Sequence, residues 1–122
     1  MKTKFLWFAI PALALLAWLS VGKSGGKADG HVRVDGKAAR QLVQAGARLL
    51  DVRTAAEFAT QHIPDAINIP VQDLPARINE LEPKDRAIVV YCRSGHRSGM
   101  AYEALKTAGF TRLADLGPMT AW

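Results

Sequence analysis

The run AIVVY at residues 87–91 restricts the fold more than any other stretch of the chain. It is apolar throughout and partly β-branched, so a strand built from it hides both faces rather than one. Such a strand needs helices above and below it, the arrangement of a mostly parallel sheet in an α/β domain. The flanking segments can supply them. Asp35 can cap a helix whose Ala39, Leu42 and Val43 share one face and which Gly46 ends. Residues 48–52 read as a second buried strand. Thr54, followed three positions later by Glu57, has the spacing of a capping box and predicts a short helix over Ala55–Thr60. A short strand at residues 66–70 comes next. Leu74, Ile78 and Leu81 then keep helical spacing, with Pro75 in the first turn and Pro83 past the end. Ala101, Ala104, Leu105 and Ala108 line a further helix that starts near Arg97 or Ser98 and stops before Gly109. Residues 111–116 give a last strand.

Ahead of this alternation lies a different kind of sequence. Residues 5–21 hold no charge, come after Lys2 and Lys4, and sit at about the lower length limit for a membrane span. Residues 1–22 are therefore expected to be an N-terminal hydrophobic helix, as an uncleaved membrane anchor or a cleaved export signal. Lys2 and Lys4 favour an inside start, which places the remainder of the chain in the cell envelope on the outer, periplasmic side. Residues 23–30, rich in Gly and Lys, read as a flexible linker. Residues 31–122 form the globular unit.

The net charge of +5 gives no sign of a nucleic-acid partner. Four lysines against Asp29 account for +3 of it up to residue 30, and twelve basic residues face ten acidic ones beyond. Nor is there an aromatic-basic interleaving that would support one. No metal or cofactor is expected: His31, His62 and His96 are far apart in sequence, and the only cysteine, Cys92, has no second thiol to complete a ligand pair.

Cys92, the second residue of the stretch YCRSGHRSGM, follows the central strand, so it stands at the carboxyl edge of the sheet, where ligands bind in open sheets of this kind. A lone cysteine at a strand end is more often an inert buried thiol. The seven positions after it, all polar or Gly, reverse that expectation. Helix N-termini and neighbouring cations such as Arg93 and Arg97 favour sulfur in its ionised, nucleophilic form. Gly95 lets the backbone curl until successive amides converge on an anion.

The loop YCRSGHRS resembles the active-site loop of the rhodanese sulfurtransferases. LLDVRTAAEFATQHIPDAINIP is similar to that family's upstream signature, and ADLGPMTAW to its ending, with Pro118 where the family has a second glycine. The resemblance implies a rhodanese-like three-layer α/β domain: a mostly parallel central sheet flanked by helices, preceded here by the N-terminal hydrophobic helix. It implies a thiosulfate sulfurtransferase type of enzyme. Sulfane sulfur passes from a small-molecule donor such as thiosulfate, through a Cys92 persulfide, to cyanide or a thiol acceptor. It also implies that Arg93, Ser94, Gly95, His96, Arg97 and Ser98 bind the donor, with Asp51 and Arg53 as a supporting polar pair beneath the loop. Glu57 and Phe58 read as cap and core, and His62 as a brace for a turn. A second reading is a sulfur carrier, sensor or partner-binding module without turnover. A third, a phosphatase or arsenate-reductase-like enzyme, is disfavoured because the loop runs Cys-x4-Arg rather than the longer Cys-x5-Arg.

Overall fold

The computed structural model describes residues 30–122. The expected N-terminal hydrophobic helix at residues 1–22 lies outside the described residues. Among the described residues no helix is long and apolar enough to cross a membrane.

The chain runs α1 (Gly36–Gln44), β1 (Arg48–Asp51), α2 (Ala55–Thr60), β2 (Ile67–Asn68), α3 (Leu74–Arg77), β3 (Ile88–Cys92), α4 (His96–Thr107) and β4 (Leu113–Pro118), with short 3-10 turns on both sides of α3 and after β4. The four strands form one parallel sheet in the order β2-β1-β3-β4. All five residues of β3 are buried, as an apolar strand in the middle of a covered sheet must be. Alternation along the strands splits the interior in two. Leu49, Val89 and Tyr91 join Ala39 and Leu42 of α1 on one face. Leu50, Ile88, Val90 and Cys92 join Ala101 and Leu105 of α4 on the other.

The local signals act as their chemistry demands. Asp35 accepts a bond from the Ala38 amide at 2.8 Å and starts α1. Thr54 and Glu57 complete the capping box of α2, each side chain bonded to the other's backbone amide at 3.1 Å. Three segments differ from expectation. The helix expected from Leu74 to Leu81 is a four-residue α3 continued by a 3-10 turn over Ile78–Leu81. Phe58, expected in the core, is only partly buried and instead stacks on His62, ring centres 3.7 Å apart, while His62 Nδ1 lies 2.8 Å from the Phe58 carbonyl oxygen. β4 also runs on to Pro118 through a register shift, so Val90 faces Asp115 but Tyr91 faces Gly117. Leu116 is the extra residue of that bulge.

The beginning and end of the described chain meet. Arg33 forms a parallel bridge with Asp115, and His31 Nε2 lies 2.9 Å from the buried Asp115 carboxylate. The His31 ring stacks on Tyr102 at 4.0 Å. Gly36 packs so tightly beneath the Ala121 carbonyl and Trp122 that a Cβ there would force the backbone apart. Arg40 covers the Trp122 ring at 5.9 Å.

Candidate functional site

Two loops leave the carboxyl edge of the sheet side by side, one after β1 and one after β3. The first is closed on itself. Asp51 is fully buried, and both its oxygens accept from Arg53, at 2.7 Å from Nη2 and 3.0–3.1 Å from Nε. The Arg53 amide also bonds Asp51 Oδ1 at 2.9 Å, and Nη2 reaches the Gln61 carbonyl at 2.6 Å. The hydrogen bonds and charge of Asp51 outweigh the cost of burial and hold Arg53 still more firmly protonated than usual. Asn68 donates to the Asp51 and Arg53 carbonyls at 3.0 and 2.9 Å, tying β2 to the same turn. The Arg53 guanidinium lies over the Tyr91 ring at 5.8 Å. The Tyr91 hydroxyl accepts the Ile63 amide at 3.2 Å, and burial pushes its ionisation well above the ordinary phenol range. Asp51 and Arg53 thus pair with each other, on the face of the sheet opposite Cys92.

The loop after β3 is open. Cys92 is buried at the strand end, and the Gly95 amide points at Sγ from 3.0 Å. That bond is possible because Gly95 adopts φ 99°, the left-handed conformation that turns its N–H back toward the strand and starts α4 one residue earlier than the sequence pattern places it. Pro118 and Gly117 of β4 wall the other side: a Cβ on Gly95 would stand 3.7 Å from Gly117 Cα and 3.8 Å from Pro118 Cδ. Asp115 Oδ1 holds the Gly117 amide at 2.8 Å and fixes that wall. The thiol therefore sits at the N-terminus of a twelve-residue helix, with an amide donor aimed at it, an arrangement that suits a bound anion.

The six loop residues divide by where their side chains go. Arg93, Ser94 and His96 are exposed at the mouth. Ser98 is buried and donates its hydroxyl to the Gly95 carbonyl at 3.0 Å, bracing the turn from within. The Arg97 guanidinium is engaged by Glu57 of α2, Nη1 to Oε1 at 2.6 Å and Nη2 to Oε2 at 3.1 Å. The pair is about a quarter exposed on each side. Arg97 and then Thr54 draw the Glu57 carboxyl down to about 2. Glu57 in turn raises Arg97, and the charge of Cys92 adds to that rise. The sequence by itself confines Glu57 to the helix cap and misses this second bond. It misses Asp115, Gly117 and His31 as well. The four are joined to the site by contacts that no local spacing announces. Among the described residues no group of three His, Cys, Asp or Glu side chains could hold a metal ion.

The rhodanese-like domain family matches residues 35–122. The chain belongs to that family. It is similar to a sulfurtransferase of Allochromatium vinosum, with 47% identity over 75 residues, 61% of this chain and 69% of that one. It is also similar to the thiosulfate sulfurtransferase PspE of Escherichia coli, with 36% identity over 76 residues, 62% and 73% of the two chains. Among solved structures, a rhodanese with anions from E. coli superposes with a TM-score of 0.60 at 32% identity, covering 63% of this chain and 92% of that chain. Several other curated relatives are longer, and the chain spans about half their length. These relatives support a sulfurtransferase enzyme built on the rhodanese-like α/β fold, with a sulfur donor and an acceptor as its substrates.

Proposed function

We propose that the domain takes sulfane sulfur from a small anionic donor such as thiosulfate onto Cys92 and passes it to cyanide or a thiol. The observation that carries this reading is the Gly95 amide aimed at Cys92 Sγ from 3.0 Å at the start of α4. The thiolate attacks the outer sulfur of thiosulfate, the bond between the two donor sulfurs breaks, and its electron pair leaves with sulfite. Cys92 then carries a persulfide. Cyanide attacks the outer sulfur, forms thiocyanate and restores the thiolate. In the proposed site Arg93, Ser94, Gly95, His96, Arg97 and Ser98 contribute the cradle, through side chains at the mouth and backbone within the loop. Asp51 and Arg53 hold the neighbouring turn rigid. No other thiol in the chain can hold the sulfur.

Mass spectrometry after thiosulfate treatment tests the reading. Wild-type protein should gain one sulfur atom on Cys92 and lose it on addition of cyanide, while Cys92→Ser should gain none and keep its fold. Uptake by the serine variant, or none by the wild type, removes the assignment. Uptake that cyanide and thiols fail to discharge would turn it into a carrier without turnover.

For the location we propose the cell envelope, with residues 1–22 as membrane anchor or export signal and the domain on the outer side. Its support is the uncharged run at residues 5–21 behind Lys2 and Lys4. Protease added outside the inner membrane should digest the domain; protection would reverse the orientation.

A further inference from the structure

The mouth of the site holds three exposed or half-exposed charged groups whose signs do not simply add toward an anion. Arg97 is the cation built into the loop, but two of its N–H groups and the charge they carry are directed at Glu57. The capping box fixes Glu57 in turn, since Oε1 also accepts the Thr54 amide at 3.1 Å. The carboxylate is thus held by its own helix and not only by Arg97. Arg97 lies in the first turn of α4, the helix whose N-cap amide meets Cys92 Sγ, so the pair stands at the rim of the cysteine loop. Glu57 remains ionised down to about pH 2, and the pair is neutral overall at any working pH. Arg93, exposed directly after the strand end, makes no ion pair among the described residues.

We propose that Glu57 sets the charge of the sulfur donor: by neutralising Arg97 it leaves Arg93 as the one uncompensated guanidinium at the mouth, among the described residues, and tunes the site to singly charged sulfane-sulfur donors over dianionic ones. The proposal rests on the sulfur-transfer reading of Cys92. A donor of the favoured class carries its transferable sulfur at one end and one negative charge in all, as an organic persulfide or thiosulfonate anion does. A dianion brings a second charge that meets the Glu57 carboxylate, and Arg97 cannot turn to it without breaking two charge-assisted bonds.

Two donors of nearly the same shape separate the charge from everything else. Thiosulfate and the methanethiosulfonate anion differ by a methyl group in place of one charged oxygen. In both, the Cys92 thiolate forms a bond to the outer sulfur, the bond from that sulfur to the sulfonyl sulfur breaks, and its electrons leave with sulfite or methanesulfinate. No proton, oxidant or reductant enters. The measured quantity is the ratio of kcat/KM for thiosulfate to that for methanethiosulfonate, with cyanide as acceptor and ionic strength held equal.

Glu57→Gln keeps the shape of the side chain and the capping box, because glutamine serves at that position as well. It should raise the ratio about tenfold, the ordinary scale of one charge-assisted hydrogen bond gained by the dianion. Arg97→Gln, which leaves Glu57 uncompensated, should lower the ratio. The double variant, with both charges gone, should return near the wild-type ratio, and it controls for loss of packing because a loosened loop would slow both donors together. An unchanged or lowered ratio in Glu57→Gln overturns the proposal. So does a double variant that keeps the raised ratio, since Arg97 would then not be the intermediary. If neither donor sulfurates Cys92 in the wild type, the transfer reading itself fails and the proposal falls with it. Sulfuration by both donors with no charge preference in any variant removes the proposal alone.

Discussion

Asp51–Arg53 and Glu57–Arg97 are both two-pronged carboxylate–guanidinium pairs at the same edge of the sheet, and they are built for opposite purposes. The first is shut away: Asp51 is wholly buried, and the Arg53 side chain is 6% exposed. Arg53 Nη2 also reaches a carbonyl and Asp51 also takes a backbone amide, so the pair is tied into its own turn. The second is 27–28% exposed, joins two elements instead of one turn, and lies at the rim of the cysteine loop. Burial within one turn makes a scaffold, whereas partial exposure at the rim of the cysteine loop leaves a charge that can be redistributed. The pair nearer the chemistry is therefore the looser one.

The contrast breaks most visibly at Asp51. Asp51→Asn leaves a buried guanidinium without its counter-charge, a change that typically costs about 3–5 kcal/mol. The urea midpoint should fall accordingly, and a loss below about 1 kcal/mol would mean that Arg53 finds water and the pair is not sealed. Replacing both residues by apolar ones of similar volume should cost less than the single change, because no charge is then stranded.

Arg97→Gln sharpens the other side. An ion pair with this exposure contributes roughly 0.2–1 kcal/mol, so the midpoint should move little while the donor preference shifts. A destabilisation as large as that of Asp51→Asn would make the two pairs equivalent and erase the difference between scaffold and site.

The smallest effect is in pH. The Glu57 carboxyl is lowered from 4.5 to about 2 in the folded protein, so its contribution to stability is complete above about pH 4.5 and is lost as pH falls toward 2. The difference in melting temperature between wild type and Glu57→Gln should therefore narrow across that window and stay flat above it. A difference that persists undiminished at pH 2 would show that charge is not what the pair contributes.

How far the sequence speaks depends on the range of each interaction. β3 is legible because an apolar strand leaves a continuous signal, and α2 because a capping box closes within four residues. Cys92, Gly95 and the Asp51–Arg53 pair lie within short motifs and are legible there, the pair through family resemblance. Glu57 shows the limit. Its local role as a cap explains the residue fully, so nothing in the sequence asks for a partner forty positions away. His31 and Asp115 are farther apart still, and their bond exists only once β4 has docked beside β3. The bulge at Leu116 leaves no composition signal, yet it sets Gly117 and Pro118 against the loop. Helix spacing across Leu74, Ile78 and Leu81 is real but insufficient: Leu74 and Leu81 bury their side chains, and Ile78 part of its own, from a turn that tightens into 3-10 geometry after Arg77.

The seating of Gly36 beneath Ala121 and Trp122 also sets an order of assembly on the ribosome. His31, Arg33 and Gly36 are synthesised early, and the partners that pin them belong to α4, β4 or the turn after it. The opening segment must therefore wait, unseated, while about eighty residues are added at about 5–20 per second. The strands that carry Asp51 and Cys92 emerge before Gly117 and Pro118, the residues that wall the thiol from its far side. A nascent chain paused short of residue 113 thus presents Cys92 without that wall. Enclosure of the sulfur and docking of residues 31–36 become one late event, completed by the six-residue strand and the turn after it.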